Sequence, residues 1–203
     1  MKLYGAPNPA PNPRRVRIFL AEKGVDLPET RIDMMKREHK SEEFRARNPL
    51  GQIPTLELDD GTCISETVSI CRYFEEIHPE PPMFGRTAVE KALVDQWIRR
   101  VEFVAMMPVG NFWRHAHPRT AALLTQYKDF GESNRETFAS AQRFFDRSLQ
   151  GREFLALDTL TMADICLQTT VDFADWIGLP CDPELKALAA WRERLAARPS
   201  AEA

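Results

Sequence analysis

Three prolines within five residues interrupt the chain at His78-Pro79-Glu80-Pro81-Pro82. Proline lacks a backbone N–H and its ring clashes with the preceding helical turn, so neither a helix nor a central strand can cross this segment. The residues before it alternate between strand and helix patterns, whereas the residues after it are helical throughout. We therefore predict two domains, at residues 1–77 and 87–203, joined by a linker at residues 78–86.

The first domain has the pattern of an α/β fold with the element order βαβαββα. Strands are predicted at Leu3-Tyr4, Glu29 to Asp33, Thr55 to Leu58 and Thr62 to Ile64, and helices at Pro13 to Lys23, Ser41 to Arg47 and Ser65 to Ile77. The turn Asp59-Asp60-Gly61 indicates a hairpin between the last two strands. Asn12 and Ser65 are of the types that cap helices, and Pro13 suits a first helical position.

The second domain is predicted to be an all-α helical bundle. Helices are predicted at Thr87 to Met107, Ala121 to Gln150, Ile165 to Ile177 and Pro183 to Ala197. We expect the second of these helices to break near Gly131. Thr161 and Asp164 have the spacing of a capping arrangement ahead of the third helix.

Composition argues against several classes of function. The 203 residues carry a net charge of −3, so the total charge indicates no nucleic-acid partner. No apolar run approaches the roughly 18 residues of a membrane-spanning helix, and the N-terminus lacks the apolar stretch of a signal peptide, which favours a cytoplasmic protein. The four cysteines have no metal-ligand spacing, and His115 and His117 have no third ligand nearby in sequence, so we expect no metal.

Three motifs lie between residues 38 and 76. They are His39-Lys40-Ser41, Asn48-Pro49-x-Gly51-Gln52-Ile53-Pro54 and Ser65-Glu66-Thr67-x-x-Ile70-x-x-Tyr73. Together with Arg15-Val16-Arg17 and Ala21-Glu22-Lys23-Gly24, they resemble the cytosolic glutathione transferases, nearest to phi-like and related bacterial members. The resemblance implies a thioredoxin-like α/β N-terminal domain with a mixed sheet, followed by an all-α C-terminal domain. It also implies a cytoplasmic, detoxifying homodimer that conjugates its co-substrate glutathione to a small hydrophobic electrophile.

The resemblance assigns binding roles to the motif residues. Glu66 pairs with the ammonium of the γ-glutamyl unit, and Thr67, in the first turn of a helix, binds its α-carboxylate. Ile53 and Pro54 match the cis-proline segment of the family, whose backbone binds the cysteinyl unit as a short strand.

Three further residues, Gln52, His39 and Lys40, resemble those that hold the glycine carboxylate of glutathione. Outside this context, His39-Lys40 is typical of a solvated polar pair. Lys40 is the stronger cation of the two, because the pKa of a histidine lies close to neutral pH.

The sequence departs from the family at the residue expected to stabilise the thiolate. Lowering a thiol pKa of about 8.5 by about two units requires that the site stabilise the thiolate over the thiol by roughly 2.7 kcal/mol. Most members use a Ser, Tyr or Cys side chain at the start of the first helix. Alignment on this helix places Ala10 at the usual serine position, and the side chain of alanine has no donor. Asn12 lies two residues further on, where its amide can donate to sulfur beside the helix N-terminus. Asn8 and Tyr4 are weaker alternatives, and a plain N-cap role for Asn12 stays open.

The second substrate and the reaction are less defined by sequence. An electrophile pocket is expected between the proline-rich loop and the helical domain, with an apolar wall drawn from Phe103, Met106, Met107, Phe112 and Trp113. Such residues are more often core. The absence of the serine leaves open a glutathione-dependent disulfide or peroxide reductase without a protein nucleophile. A non-catalytic glutathione-binding protein is a third alternative.

Overall fold

In the computed structural model, which describes residues 1–203, four strands form one mixed sheet in the order β2-β1-β3-β4. The strands are β1 (Lys2–Gly5), β2 (Glu29–Arg31), β3 (Thr55–Glu57) and β4 (Cys63–Ser65). β1 runs parallel to β2 and antiparallel to β3, and β4 runs antiparallel to β3. All four overlap the predicted strands, and the predicted hairpin is confirmed.

Three helices accompany this sheet and complete a thioredoxin-like fold. They are α1 (Pro11–Lys23), α2 (Glu42–Arg47) and α3 (Thr67–Ile77), with a 3-10 turn at Glu38–Lys40 before α2. α1 and α3 pack against each other and bury apolar stripes at helical spacing, with Val16 and Phe19 on α1 and Ile70 and Phe74 on α3. The fold class predicted for this part of the chain is confirmed.

The start of α1 differs from the sequence prediction. The helix begins at Pro11, so Ala10 is the N-cap and Asn12 is the second helical residue rather than the cap. Because proline has no N–H, Pro11 and Pro13 remove two of the backbone donors that a capping side chain would satisfy. A helix with this first turn begins without a polar cap.

The rest of the chain is all-α, as predicted. Its helices are α4 (Ala88–Arg100), α5 (Met107–His115), α6 (Lys128–Leu149), α7 (Met162–Trp176) and α8 (Lys186–Ala196), with 3-10 turns at Pro118–Thr120 and Pro199–Glu202. A π-helical turn, Val101–Met106, connects α4 to α5, so the helix predicted to end at Met107 continues to His115. Pro108 cannot donate to residue 104 and its ring crowds that carbonyl, which the wider π turn accommodates.

α6 runs through Gly131, where the sequence predicted a break, and begins at Lys128 rather than at residue 121. A Cβ at Gly131 would lie 2.7 Å from the backbone nitrogen of Ala116. The glycine therefore permits a close approach between α5 and α6 instead of interrupting the helix.

Asp164 fixes the start of α7. One carboxylate oxygen accepts hydrogen bonds from the Thr161 N–H at 3.0 Å and the Thr161 hydroxyl at 2.7 Å. The other accepts from the Leu155 N–H at 2.9 Å and the Trp191 indole at 3.1 Å. The side chain is fully buried. Burial raises the pKa of its carboxyl, although the four hydrogen bonds act in the opposite direction. The predicted capping by Thr161 and Asp164 is confirmed.

The chain divides into two compact units, Met1–Met83 with Pro199–Ala203 as the first and Phe84–Arg198 as the second. The sequence assigned residues 199–203 to the helical domain, but they contact α1 of the first unit. Arg14 donates to the carbonyl of Ala201 at 3.1 Å.

Candidate functional site

Three segments meet at one edge of the sheet because of the strand register. Thr55, at the start of β3, pairs with Tyr4 of β1 on one side and with Ser65 of β4 on the other. The residues just beyond these pairs are therefore neighbours, and they belong to the loop after β1, the segment before β3 and the turn after β4. We call this place, where α1 and α3 also begin, the site edge.

The segment before β3 contains the cis peptide bond Ile53–Pro54, which confirms the conformation that the family resemblance predicts. Pro54 is buried, Ile53 is half-buried and Gln52 is exposed. Gln52 therefore has the side chain of the three that is most accessible to a ligand from solvent.

Buried Asn48 holds this segment in place. Its side-chain N–H groups donate to the Gln52 carbonyl at 2.8 Å and the Thr55 hydroxyl at 3.2 Å, and its oxygen accepts from the Leu50 N–H at 3.2 Å. Sequence reasoning gave Asn48 no role of its own. The only signal was its position at the head of the Asn-Pro-x-Gly motif.

Lys40 links the 3-10 turn before α2 to the same segment. Its ammonium donates to the carbonyls of Leu50 at 3.0 Å and Gly51 at 2.7 Å. Gly51 has a φ of 56°, and a Cβ there would press on the carbonyl oxygen of His39, so only glycine suits this approach. Lys40 thus stabilises the loop ahead of Gln52 and brings a positive charge beside it.

His39 is held largely in its neutral form. Burial, followed by the charges of Lys40, Arg37 and Arg45, lowers the pKa of its imidazole. Its Nδ1 atom is buried and has no hydrogen-bond partner in the protein. This cluster of cations, with a neutral imidazole among them, suits a carboxylate ligand.

The turn after β4 is strained at Glu66. This residue has a φ of 67°, which costs a non-glycine residue about 1–3 kcal/mol and is typical of functional sites. Glu66, not the predicted Ser65, is the N-cap of α3, because Ser65 is committed to the ladder with Thr55. The side chain of Glu66 is exposed.

Thr67 is the first residue of α3 and is buried. The Glu66 side chain makes no capping hydrogen bond to this helix, and no acidic side chain lies in the first turn after it, so N–H groups at the helix start are available to an anion. Glu66 and Thr67 together present a carboxylate and a helix N-terminus, which match an ammonium and a carboxylate on one ligand.

Asn12 lies in the first turn of α1 at the site edge. Its Oδ1 atom is buried and makes no hydrogen bond within the protein. Asn12 does not cap α1. Since buried polar atoms are nearly always paired, its Oδ1 atom is a candidate for contact with a ligand group that donates a hydrogen bond. Only the Nδ2 atom of the same amide could donate to a sulfur.

The two alternatives to Asn12 are already engaged. The Tyr4 hydroxyl donates to Glu57 at 2.6 Å, on the face of the sheet where its ring packs against Phe44. The side-chain oxygen of Asn8 accepts from Arg17 at 2.5 Å, and its nitrogen donates to the Ala203 carbonyl at 3.3 Å.

The apolar residues proposed for an electrophile wall separate into two groups. Phe112 is only 2% exposed and belongs to the core of the second unit, and Trp113 packs on aromatic side chains of α7. Phe103 and Met107 are 61% and 48% exposed, at and just after the π turn, and Met106 is half-buried.

Within residues 1–203, no group of three or more His, Cys, Asp and Glu side chains is placed to hold a metal ion. None of the helices has both the length and the apolar character that crossing a membrane requires.

Two domain families match this chain. Residues 10–77 match the N-terminal domain of glutathione S-transferases, and residues 112–199 match the C-terminal domain. These ranges include Asn12 and the three motifs in the first unit, and most of the helices in the second.

Individual relatives extend the similarity over nearly the whole chain. Glutathione S-transferase 2 of Saccharomyces cerevisiae is 37% identical over 98% of this chain and 87% of that protein. The crystal structure of Gtt2 from Saccharomyces cerevisiae has a TM-score of 0.93 at 36% identity and covers 100% of this chain and 99% of its own. A glutathione S-transferase domain-containing protein of Marinobacter aquaeolei has a TM-score of 0.92 at 37% identity, with 98% and 99% coverage.

Proposed function

Because this chain belongs to the glutathione S-transferase family, we propose that it binds glutathione at the site edge and transfers the thiolate to a small hydrophobic electrophile. The observation that carries this proposal is the meeting of the cis Ile53–Pro54 segment with the strained Glu66 turn. Both flank the Thr55–Ser65 pair, so one extended tripeptide can reach both.

This arrangement of residues supports binding sites for the γ-glutamyl and cysteinyl units of glutathione. The carboxylate of Glu66 binds the ammonium, and Thr67 binds the α-carboxylate at the start of α3, where the helix dipole favours an anion. The backbone of Ile53, before Pro54, binds the cysteinyl unit by strand-like hydrogen bonds.

The glycine carboxylate binds next to Gln52, His39 and Lys40. Gln52 donates from its exposed amide, and His39 donates as a neutral imidazole. Lys40 contributes its charge while it holds the carbonyls of Leu50 and Gly51. Lys40 is therefore expected to matter for both the loop and the ligand.

The glutathione sulfur is held as a thiolate at Asn12, whose amide donates a hydrogen bond to it. Pro11 and Pro13 leave the first turn of α1 with few backbone donors, so the side chain of Asn12 carries more of the roughly 2.7 kcal/mol that a two-unit pKa shift requires. Ala10 supplies no nucleophile, and none is needed from the protein. The thiolate attacks the electrophilic carbon, a C–S bond forms, and the leaving group departs with its bonding electrons.

Phe103 and Met107 are our candidates for contact with the electrophile. They are exposed apolar side chains four residues apart at a π turn, and such turns are frequent at functional sites. Phe112 and Trp113 serve the packing of the second unit instead.

Calorimetric titration with glutathione tests the binding site. We expect Glu66→Gln to weaken binding about tenfold or more, because an ammonium ion pair is lost. Glu76→Gln removes a similar exposed charge from the other end of α3 and should bind as the unchanged protein does. Equal affinities for all three proteins would overturn the assignment.

A glutathione-dependent disulfide or peroxide reductase is the second candidate, favoured by Ala10 at the usual serine position of the family. An assay of an aryl halide, a small disulfide and a hydroperoxide, each with glutathione, separates the two. Turnover of the aryl halide supports the transferase, and turnover of the disulfide or hydroperoxide alone supports the reductase. Binding without any turnover indicates a non-catalytic glutathione-binding protein.

We also propose that the protein is cytoplasmic and dimeric. Arg72 is exposed on α3 and Tyr73 is half-buried beside it, and we place this helix near the dimer interface. Sedimentation at micromolar concentration should give twice the mass of the 23.3 kDa chain. A monomer would contradict the dimer without affecting the binding site.

A further inference from the structure

The loop between β1 and α1, residues 6–10, is held by one side chain that the sequence motifs did not mark. Arg17 projects from α1 and donates to the carbonyl of Ala6 at 3.0 Å and to the side-chain oxygen of Asn8 at 2.5 Å. One guanidinium therefore contacts the loop at two points, at its first residue and at its centre.

Glu29, on β2, holds Arg17 in turn. Its carboxylate lies 3.2 Å from the same guanidinium, and both side chains are about four-fifths buried, with 21% and 19% exposure. Gly5 makes room for this contact, because a Cβ at that position would collide with the Glu29 carboxylate. Burial lowers the pKa of the Arg17 guanidinium and the adjacent carboxylate opposes that shift.

The loop leads directly into the first turn of α1. Ala10 is the N-cap and Asn12 follows two residues later, so residues 6–10 connect β1 directly to the first turn of the helix. A hydrogen bond weakens steeply as its length and angle depart from their optimum, and catalytic groups must be held within about 0.5 Å of their working position.

We infer that Arg17, held by Glu29, is a positioning residue for the thiolate. It fixes the loop and thereby the distance between Asn12 and the glutathione sulfur, and it does not touch the sulfur itself. This inference rests on the proposed glutathione site.

Substitutions that change the charge in opposite directions distinguish positioning from a direct electrostatic effect on the thiolate. An electrostatic effect alone would shift the thiol pKa in opposite directions in the two variants. Arg17→Met removes a positive charge, and Glu29→Ala removes a negative one. If the pair positions the loop, both substitutions raise the pKa of bound glutathione, by about one unit each, which is about a tenfold loss of thiolate below that pKa. Ultraviolet titration of the thiolate measures this value. If Glu29→Ala instead lowers the pKa, or either variant leaves it unchanged, Arg17 does not act by positioning.

Two further variants serve as controls. Arg31→Met removes an exposed arginine from the same strand as Glu29 and should leave the thiol pKa unchanged. Arg17→Lys keeps the charge but cannot reach all three partners, so we expect an intermediate pKa, and it provides the test if Arg17→Met does not fold. If the unchanged protein binds no glutathione, the proposed function fails. If the unchanged protein lowers the thiol pKa of bound glutathione and Arg17→Lys gives the same pKa, only the positioning role fails.

Discussion

The start of α7 and the site edge use buried polar side chains differently. In the second unit, Asp164 accepts four hydrogen bonds and joins the start of α7 to Leu155 and Trp191. In the first unit, Asn12 and His39 each have a buried polar atom without a partner. We infer that the satisfied carboxylate stabilises the start of α7, whereas the two unpaired atoms near the site edge are available to a ligand. His115 of the second unit also has a buried Nδ1 atom without a partner, so the contrast holds for these two places and not for the units as wholes.

Substitution of Asp164 should give the largest loss of stability. Asp164→Ala leaves four donors without their acceptor, and we expect a loss of roughly 3–5 kcal/mol in the free energy of unfolding. Urea denaturation measures this loss. Asp158→Ala, which changes an exposed residue of the same segment, should cost about 0.5 kcal/mol or less. Equal losses of stability in the two variants would show that burial and hydrogen bonding do not give Asp164 a larger role in the fold than Asp158.

A buried and an exposed phenylalanine of the second unit should differ in their contributions to stability and to substrate binding. Phe112→Ala should destabilise the protein by about 3–5 kcal/mol because it opens a cavity in the core. Phe103→Ala should cost about 0.5 kcal/mol or less, but should raise the KM for an aryl halide several-fold with little change in that for glutathione. An unchanged KM for both substrates would remove Phe103 from the electrophile contact.

Asn48 is the counterpart of Asp164 in the first unit, a satisfied polar group that holds a binding segment. We expect Asn48→Ala to cost about 2 kcal/mol in stability, since three hydrogen bonds are lost, and also to weaken glutathione binding. Unfolding and calorimetric titration of the same sample measure both effects. Stability lost without any change in affinity would show that the segment before β3 is not part of the site.

The smallest expected effect is the pH dependence of His39. Its pKa is lower in the folded protein than the usual 6.5, so the unfolded chain binds the proton more readily. The contribution of His39 to the free energy of unfolding is therefore fully present above pH 6.5 and is lost as the pH falls through its lowered folded-state pKa, and the loss is small because the side chain is partly exposed to solvent. His39→Gln should lack this component. Identical stability profiles for the two proteins between pH 7.5 and 5 would contradict it.

The sequence predicted those parts of the first unit that depend on local motifs. The four strands follow from short runs of residues, whereas the cis Ile53–Pro54 bond was expected only from the family resemblance. The N-cap of α3 was predicted one residue too early, at Ser65 instead of Glu66. The helix cap at Asn12 was predicted wrongly, because the two neighbouring prolines remove the donors that a cap would satisfy.

Long-range contacts are what the sequence did not reveal. Arg17 and Glu29 are twelve positions apart and meet only because β2 pairs with β1 beside Gly5. The π turn before Pro108 and the close packing at Gly131 likewise depend on neighbouring turns and helices, and a glycine or proline in one helical pattern does not specify them.

The most direct test is the thiol pKa of glutathione bound to the unchanged protein and to Asn12→Ala, measured by ultraviolet titration at saturating glutathione. The account predicts a pKa about two units below the free value of about 8.5 in the unchanged protein, and a rise of about one unit or more in Asn12→Ala. The same lowered pKa in both proteins would contradict the role of Asn12 as the thiolate donor.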